Sequence, residues 1–199
     1  MKSLFSCLEN VDVRREWMLR ADFVKKIGLF NSTLAYIIFF YEYGRISGNR
    51  LFAGYADELM GKVYKNVHQA MPMGFNGGIS GIAWGISYLY VRGFLDGDLN
   101  EILKDLDEKV IKFMKEEDRT DTAKEVFGQI LYYVLYRIHS AKAHEINSPF
   151  TKEMLYNSVF NNPDLPCYPT LEDFFADDSI QIMDDAIINH MYKKLVRTS

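Results

Sequence analysis

The sequence predicts an all-α fold of stacked helical hairpins, and three observations predict it. Apolar residues recur at the three-to-four-residue spacing of a helix face through most of the chain. No run alternates with period two over a useful length, so no strand is expected. Four of the five prolines, Pro149, Pro163, Pro166 and Pro169, fall late, which leaves the first two-thirds almost free of the residue that breaks helices. With 199 residues, 48% hydrophobic and 25% charged, the composition fits a single globular domain, 1–199, with a sizeable core.

The elements follow in order. From Phe30 to Gly44, Phe30, Leu34, Ile37, Ile38 and Tyr41 share one helix face, and Gly44 to Gly48 reads as a turn. Leu51, Phe52, Tyr55, Ala56, Leu59, Met60, Val63, Tyr64 and Val67 continue the pattern through a second helix. Its outer face carries Arg50, Asp57, Glu58, Lys62 and Lys65, which makes the pair a hairpin. Ile79 to Val91 is apolar or small on most faces and is expected to be buried all round. Gly93 to Gly97 turns the chain. Asp98 then caps a helix with Glu101 placed to reach back, and Leu99, Ile102, Leu103, Leu106, Val110, Ile111 and Phe113 form its buried stripe. A third hairpin begins near Thr122, with Glu125 three residues on. Its stripe is Val126, Ile130, Leu131, Val134, Leu135 and Ile138. Ser148 at the N-cap and Pro149 at the first helical position are expected to start a shorter helix. A Pro/Asn-rich loop, 161–169, precedes final helices within 170–197.

Two of the hairpins repeat in sequence. Phe30-Asn31 aligns with Phe75-Asn76 and Leu34 with Ile79, an offset of 75 − 30 = 45 residues. A period of about 40–50 marks helical repeats in which each hairpin buries its apolar face on a neighbour. The repeats cover approximately 27–70, 74–116 and 122–160, the third starting near Phe127-Gly128.

Several function classes are disfavoured. The net charge is −4 and no long Lys/Arg cluster occurs, so nucleic acid is not an expected partner. The longest apolar stretch, Leu34 to Tyr41, is closed by Glu42 and is far short of the ~20 residues of a membrane span. The N-terminus has no signal-peptide pattern, and Cys7 and Cys167 do not make a disulfide framework. A cytoplasmic location with reduced thiols is expected.

The segment Met73 to Gly85 is rich in glycine. A phosphate-binding loop needs a preceding strand and a following Lys-Ser/Thr pair, and both are missing. Gly77, Gly81 and Gly85 are four apart and are expected on one helix face. Each interior glycine costs about 1 kcal/mol relative to alanine, so close approach of a neighbouring helix is the expected compensation.

The string Gly-Phe-Asn-Gly-Gly-Ile-Ser-Gly-Ile-Ala-Trp-Gly-Ile-Ser-Tyr-Leu (74–89), with Gly93-Phe94-Leu95-Asp96-Gly97-Asp98 and Glu101-Ile102-Leu103, resembles a repeat of the lanthionine synthetase C-like family. Ile27-Gly28-Leu29-Phe30-Asn31, with Tyr41, Tyr43-Gly44-Arg45, Gly48-Asn49 and Tyr55-Ala56, resembles another. Phe127 to Arg137 with Pro149-Phe150 resembles a weaker third. The resemblance spans roughly 27–160 and implies an α/α toroid, here partial, with glycine-rich turns at the ends of the inner helices. Enzymes of that family add a cysteine thiol across a dehydrated Ser or Thr, using zinc held by two Cys and one His. The Trp-Cys-Gly and Cys-His-Gly segments that supply those ligands have no counterpart here. The chain is about half the length of a full toroid, so the metal-holding repeats are expected to be absent. No catalytic residue, metal or cofactor is therefore assigned.

Other constellations have plainer explanations. Cys7, His68, His139, His144, Cys167 and His190 are the available zinc donors, and His139 and His144, five apart, face differently on a helix. Asp96 to Asp107 imitates a calcium loop, but its sixth position is Glu101 instead of Gly, so a turn and cap is expected. Asp173, Asp177, Asp178, Asp184 and Asp185 read as a solvated face; the alternative is a carboxylate pair of a metal-independent, carbohydrate-active enzyme. Trp84 with Tyr88, and Tyr132, Tyr133 and Tyr136, read mainly as core. The recurrence of Asn31 and Asn76 beside the turns nevertheless suggests a peptide groove of Asn31, Phe75, Asn76 and Trp84. The expected function is a non-catalytic relative of the cyclases that binds a peptide or partner enzyme in peptide maturation, with pure assembly as a further alternative. A partial toroid is expected to leave apolar inner surface uncovered, so a protein partner or homo-oligomer is expected as well.

Overall fold

The structure, a computed structural model, describes residues 11–30, 32–68, 70–115, 121–160 and 188. These contain seven helices and no strand: α1 Val11–Phe23, α2 Thr33–Ser47, α3 Arg50–Asn66, α4 Ile79–Val91, α5 Leu99–Met114, α6 Asp121–His144 and α7 Lys152–Phe160. No helix among the described residues is long and apolar enough to cross a membrane. The loop 161–169 and the final helices expected within 170–197 lie outside the described residues, Ile188 excepted.

Helices of two kinds alternate, as the apolar pattern dictates. Thr33 through Gly44 of α2 and Ile79 through Leu89 of α4 are buried on every face. In α3 the buried residues are Phe52, Ala56, Leu59, Met60 and Val63, and in α5 they are Leu99, Leu103, Leu106, Asp107, Val110 and Met114, one stripe each. α2 packs on α3 and on α4, α4 packs on α5 and α6, and α6 packs on α7. The hairpins therefore stack through a row of α2, α4 and α6, each with its following helix beside it.

α1 is an element the periodicity did not announce: among its residues 15–23, Trp17 and Ala21 are the buried ones. Trp17 meets Tyr36 edge-on at 6.3 Å and Phe39 at 4.6 Å, and the Tyr55 hydroxyl donates to the Met18 carbonyl at 2.6 Å. With α1 against them, α2 and α3 are tied together on that flank. The uncovered inner surface expected of a partial toroid is not seen on α2 or α4, whose cores are closed on all sides.

The hairpin turns differ from expectation in detail. Helix α2 runs through Gly44 to Ser47, because a Cβ at Gly44 would sit 3.2 Å from the Ala53 nitrogen and its absence lets α3 start alongside. Gly48, φ 68°, then ends α2 in the left-handed region, and Gly93, φ 71°, ends the α4 segment 45 residues later. The repeat period thus recurs in backbone conformation. Asn49 caps α3 by accepting from Leu51 N at 3.1 Å, and Asp98 caps α5 by accepting from Asn100 N at 2.8 Å. The helix expected from Ser148 starts later. Ser148 Oγ accepts locally from Phe150 N, and Thr151 Oγ1 caps α7 by accepting from Met154 N at 3.1 Å. The third repeat has no glycine turn at Phe127-Gly128: both residues lie inside α6, with Phe127 fully buried against Phe113.

Candidate functional site

The turns preceding α2 and α4 are built on close backbone contact. A Cβ on Gly28 would lie 2.2 Å from the Asn76 carbonyl oxygen and 2.4 Å from Gly77 Cα, so one turn rests on the other. Phe30 and Phe75, equivalent by the repeat, face each other at 6.3 Å. A Cβ on Gly78 would meet the Pro72 oxygen at 2.3 Å, one on Gly81 the Phe75 oxygen at 2.0 Å, and one on Gly85 the Leu34 Cδ2 at 2.5 Å. Close approach therefore accounts for Gly81 and Gly85. It does not account for Gly77, which precedes α4 and so misses the common helix face; no described residue lies within 4 Å of the place its Cβ would occupy.

The first N–H groups of α4 are already used, by Ile79 N on the Pro72 oxygen at 2.8 Å and Ser80 N on the Met73 oxygen at 3.2 Å. Ser80 Oγ also donates to the Met73 oxygen. From α6, Gln129 Oε1 accepts the Phe75 N–H at 2.8 Å and pins the turn.

Three of the four residues assigned to a peptide groove are described, and they differ in exposure. Asn76 is exposed. Phe75 is buried, and Trp84 is 1% exposed, enclosed by Phe75, Tyr88 and Tyr136 at ring distances of 6.3, 5.4 and 5.5 Å. Trp84 is thus core and offers no surface to a peptide, because the Phe75, Tyr88 and Tyr136 rings cover it. Asn31 lies outside the described residues.

Metal donors do not assemble among the described residues, where no three His, Cys, Asp or Glu side chains converge. His68 and His144 are exposed and His139 belongs to a half-buried stretch of α6. Cys7, Cys167, His190 and the acids from Asp173 to Asp185 lie outside the described residues. The calcium-like segment is dispersed: Asp98 caps a helix and Asp107 points into the core.

Two buried charge clusters went unnoticed in the sequence. In the first, Glu42 of α2, 4% exposed, accepts from the Tyr88 hydroxyl at 2.8 Å, from Arg92 Nε at 3.0 Å and from Arg45. Burial pushes its carboxyl up, but Arg92, Tyr88 and Arg45 outweigh burial and hold it below the ordinary glutamate value. In the second, Asp107 of α5 accepts from the Tyr133 hydroxyl and from Arg137 at 2.9 Å, and Arg137 also donates to Asn100 Oδ1 at 2.8 Å. Arg137 is 1% exposed and its Nε–H has no partner among the described residues. Here burial wins and raises the Asp107 carboxyl against the pull of Arg137 and Tyr133. The available signal was a charge set within an otherwise apolar helix, since such a charge requires an opposite partner.

No family model matches the chain, and no curated protein and no solved structure is found similar to it.

Proposed function

We propose that this chain is a non-catalytic protein of lanthionine synthetase C-like character that binds a peptide or a partner enzyme at the edge of its glycine turns. The observation supporting this is the contrast within one segment. Gly28, Gly78, Gly81 and Gly85 each sit where a Cβ would strike a neighbour, whereas Gly77 borders open space beside exposed Asn76. A glycine whose Cβ position meets none of the described residues suits a surface where another backbone comes close. The two buried carboxylates, Glu42 and Asp107, are each bound to arginine in separate clusters, which disfavours a carboxylate-pair enzyme among the described residues. Exposed Leu19, Phe23 and Leu51 on α1 and α3 suit a protein partner or a second copy.

Peptide display against the whole chain tests the binding. Enriched peptides should lose at least tenfold in affinity on Gly77→Gln or Asn76→Arg, with the thermal melt unchanged because both positions face outward. Absence of enrichment, or binding indifferent to both changes, overturns the proposal. A peptide carrying dehydroalanine and cysteine, incubated with the protein and zinc, should keep its alkylatable thiol as long as in buffer. Faster loss of the thiol overturns the non-catalytic part.

A further inference from the structure

The far ends of α2 and α4 place two guanidinium groups side by side above a single carboxylate. Arg45 donates inward to Glu42 Oε2, and its Nη1 donates to the Arg92 carbonyl at 3.2 Å. Arg92 donates from Nε to Oε1 at 3.0 Å and reaches Oε2 with Nη2 at 3.5 Å. The carboxylate is 5% exposed, while the arginine side chains are 40% and 42% exposed. Glu42 is therefore the floor of the cluster and the arginines are its rim. A guanidinium has five N–H groups, and the contacts made among the described residues use those facing inward. Arg45 lies on the Phe94 ring at 4.4 Å, and that ring stacks on Tyr41 at 5.0 Å, so the plane of the guanidinium is held.

Charge selects what such a rim accepts. Two guanidiniums over one carboxylate leave a single positive charge, and the Tyr88 hydroxyl bonded to the same carboxylate adds none. A singly charged planar anion balances the cluster and matches the fork geometry of arginine. A phosphate dianion leaves it over-neutralised.

We propose that Arg45 and Arg92 form a binding site for a carboxylate group, carried either by a free small acid or by an acidic side chain of a peptide. The site lies at the opposite end of α4 from the glycine turns, about 20 Å away at 1.5 Å per helical residue, and it stands independently of the turn-edge proposal.

The Nε–Hε NMR signals of Arg45 and Arg92 in the whole chain test it, at neutral pH and constant ionic strength. The probes are sodium acetate, an end-capped penta-glutamate peptide and sodium chloride. Saturable movement of both signals with acetate or penta-glutamate, and not with chloride, supports the site. The probe that saturates at lower concentration identifies the source of the carboxylate. Arg45→Gln should weaken binding at least tenfold, and Arg45→Lys, which keeps the charge without the fork, should weaken it less. Phe94→Leu, which leaves every charge in place but removes the support under Arg45, should weaken it several-fold and guards against a folding failure of Arg45→Gln. No saturable movement, equal movement with chloride, or undiminished binding in a folded Arg45→Gln protein overturns the inference.

Discussion

Gly85 of α4 receives Leu34 of α2: a Cβ at Gly85 would lie 2.5 Å from Leu34 Cδ2 and 3.0 Å from its Cγ. The two helices that are buried on all faces touch through this pair, and the missing methyl sets their separation. Gly81 is tighter, because its neighbour at 2.0 Å is the Phe75 backbone oxygen, which cannot rotate away.

Alanine substitution should therefore rank by neighbour. Gly85→Ala should destabilise by about 1–3 kcal/mol, the range for overpacking a core that side chains can relieve. Gly81→Ala should cost more than Gly85→Ala. Gly54→Ala, on the exposed face of α3 with nothing within 4 Å, should stabilise by ~0.5–1 kcal/mol from helix propensity alone. Urea unfolding of the three variants checks the order, and a Gly81→Ala protein as stable as the parent contradicts it.

Removing Arg137 strands a buried carboxylate. Arg137→Met should destabilise by about 3–5 kcal/mol, the cost of breaking a buried pair from one side. Adding Asp107→Leu and Tyr133→Phe should recover much of that loss, since the buried groups are then apolar and Asn100, the polar partner left, is half-exposed. Chemical denaturation of the single and triple variants gives the comparison, and a triple variant weaker than the single speaks against the pairing.

Glu42 carries a pH signature. Its folded carboxyl is held below its ordinary value, so its contribution is present above the unfolded pKa and is lost as pH falls through the folded one. Glu42→Gln should cost roughly 1–3 kcal/mol near neutrality, moderated by the half-exposed arginines. The gap between the two proteins should narrow as pH drops below the usual carboxylate range of about 4–4.5. Asp107 has the opposite sign: its raised carboxyl favours the fold below the unfolded pKa, and that contribution fades as pH climbs through the folded one. It is common to both proteins and cancels in the difference. A gap that is constant or wider at acid pH excludes the assignment.

Trp17 and Trp84, the two tryptophans of the chain, are 3% and 1% exposed. Acrylamide should quench the native fluorescence several-fold less than the unfolded fluorescence. Easy quenching of a Trp17→Phe protein, in which Trp84 reports alone, would reopen the groove that the packing closes.

Helix identity was legible because burial leaves a periodic trace. The uniformly apolar α4 and the stripe of α5 appear where spacing put them; in α3, Phe52, Ala56, Leu59, Met60 and Val63 do so, whereas Leu51 and Tyr64, assigned to the same stripe, are exposed. α1 was not legible, since two buried side chains on a charged helix leave no stripe. The groove reading failed at Trp84 for a related reason. Spacing placed it on a helix of known character, but contacts with residues remote in sequence, Tyr136 of α6 above all, decide whether the ring faces a cleft or a neighbour. The helix expected from Thr122 is present, but Phe127-Gly128, which imitates the turn pair of the first two repeats, lies inside it because its flanking residues favour unbroken helix. Glu42 and Arg137 stood in plain view as charges among apolar neighbours. Their partners, 50 and 30 residues away, could not be chosen from sequence alone.

The seating of Gly28 on Asn76 and Gly77 makes the first two hairpins unlike beads on a string. The joint has no room for a side chain at Gly28, so neither hairpin can be cut out, swapped or duplicated without leaving its neighbour with an unmatched face. In repeat proteins whose units meet only through side chains, a module can be deleted and the ends rejoined. Here the two must be inherited, and must fold, as one piece.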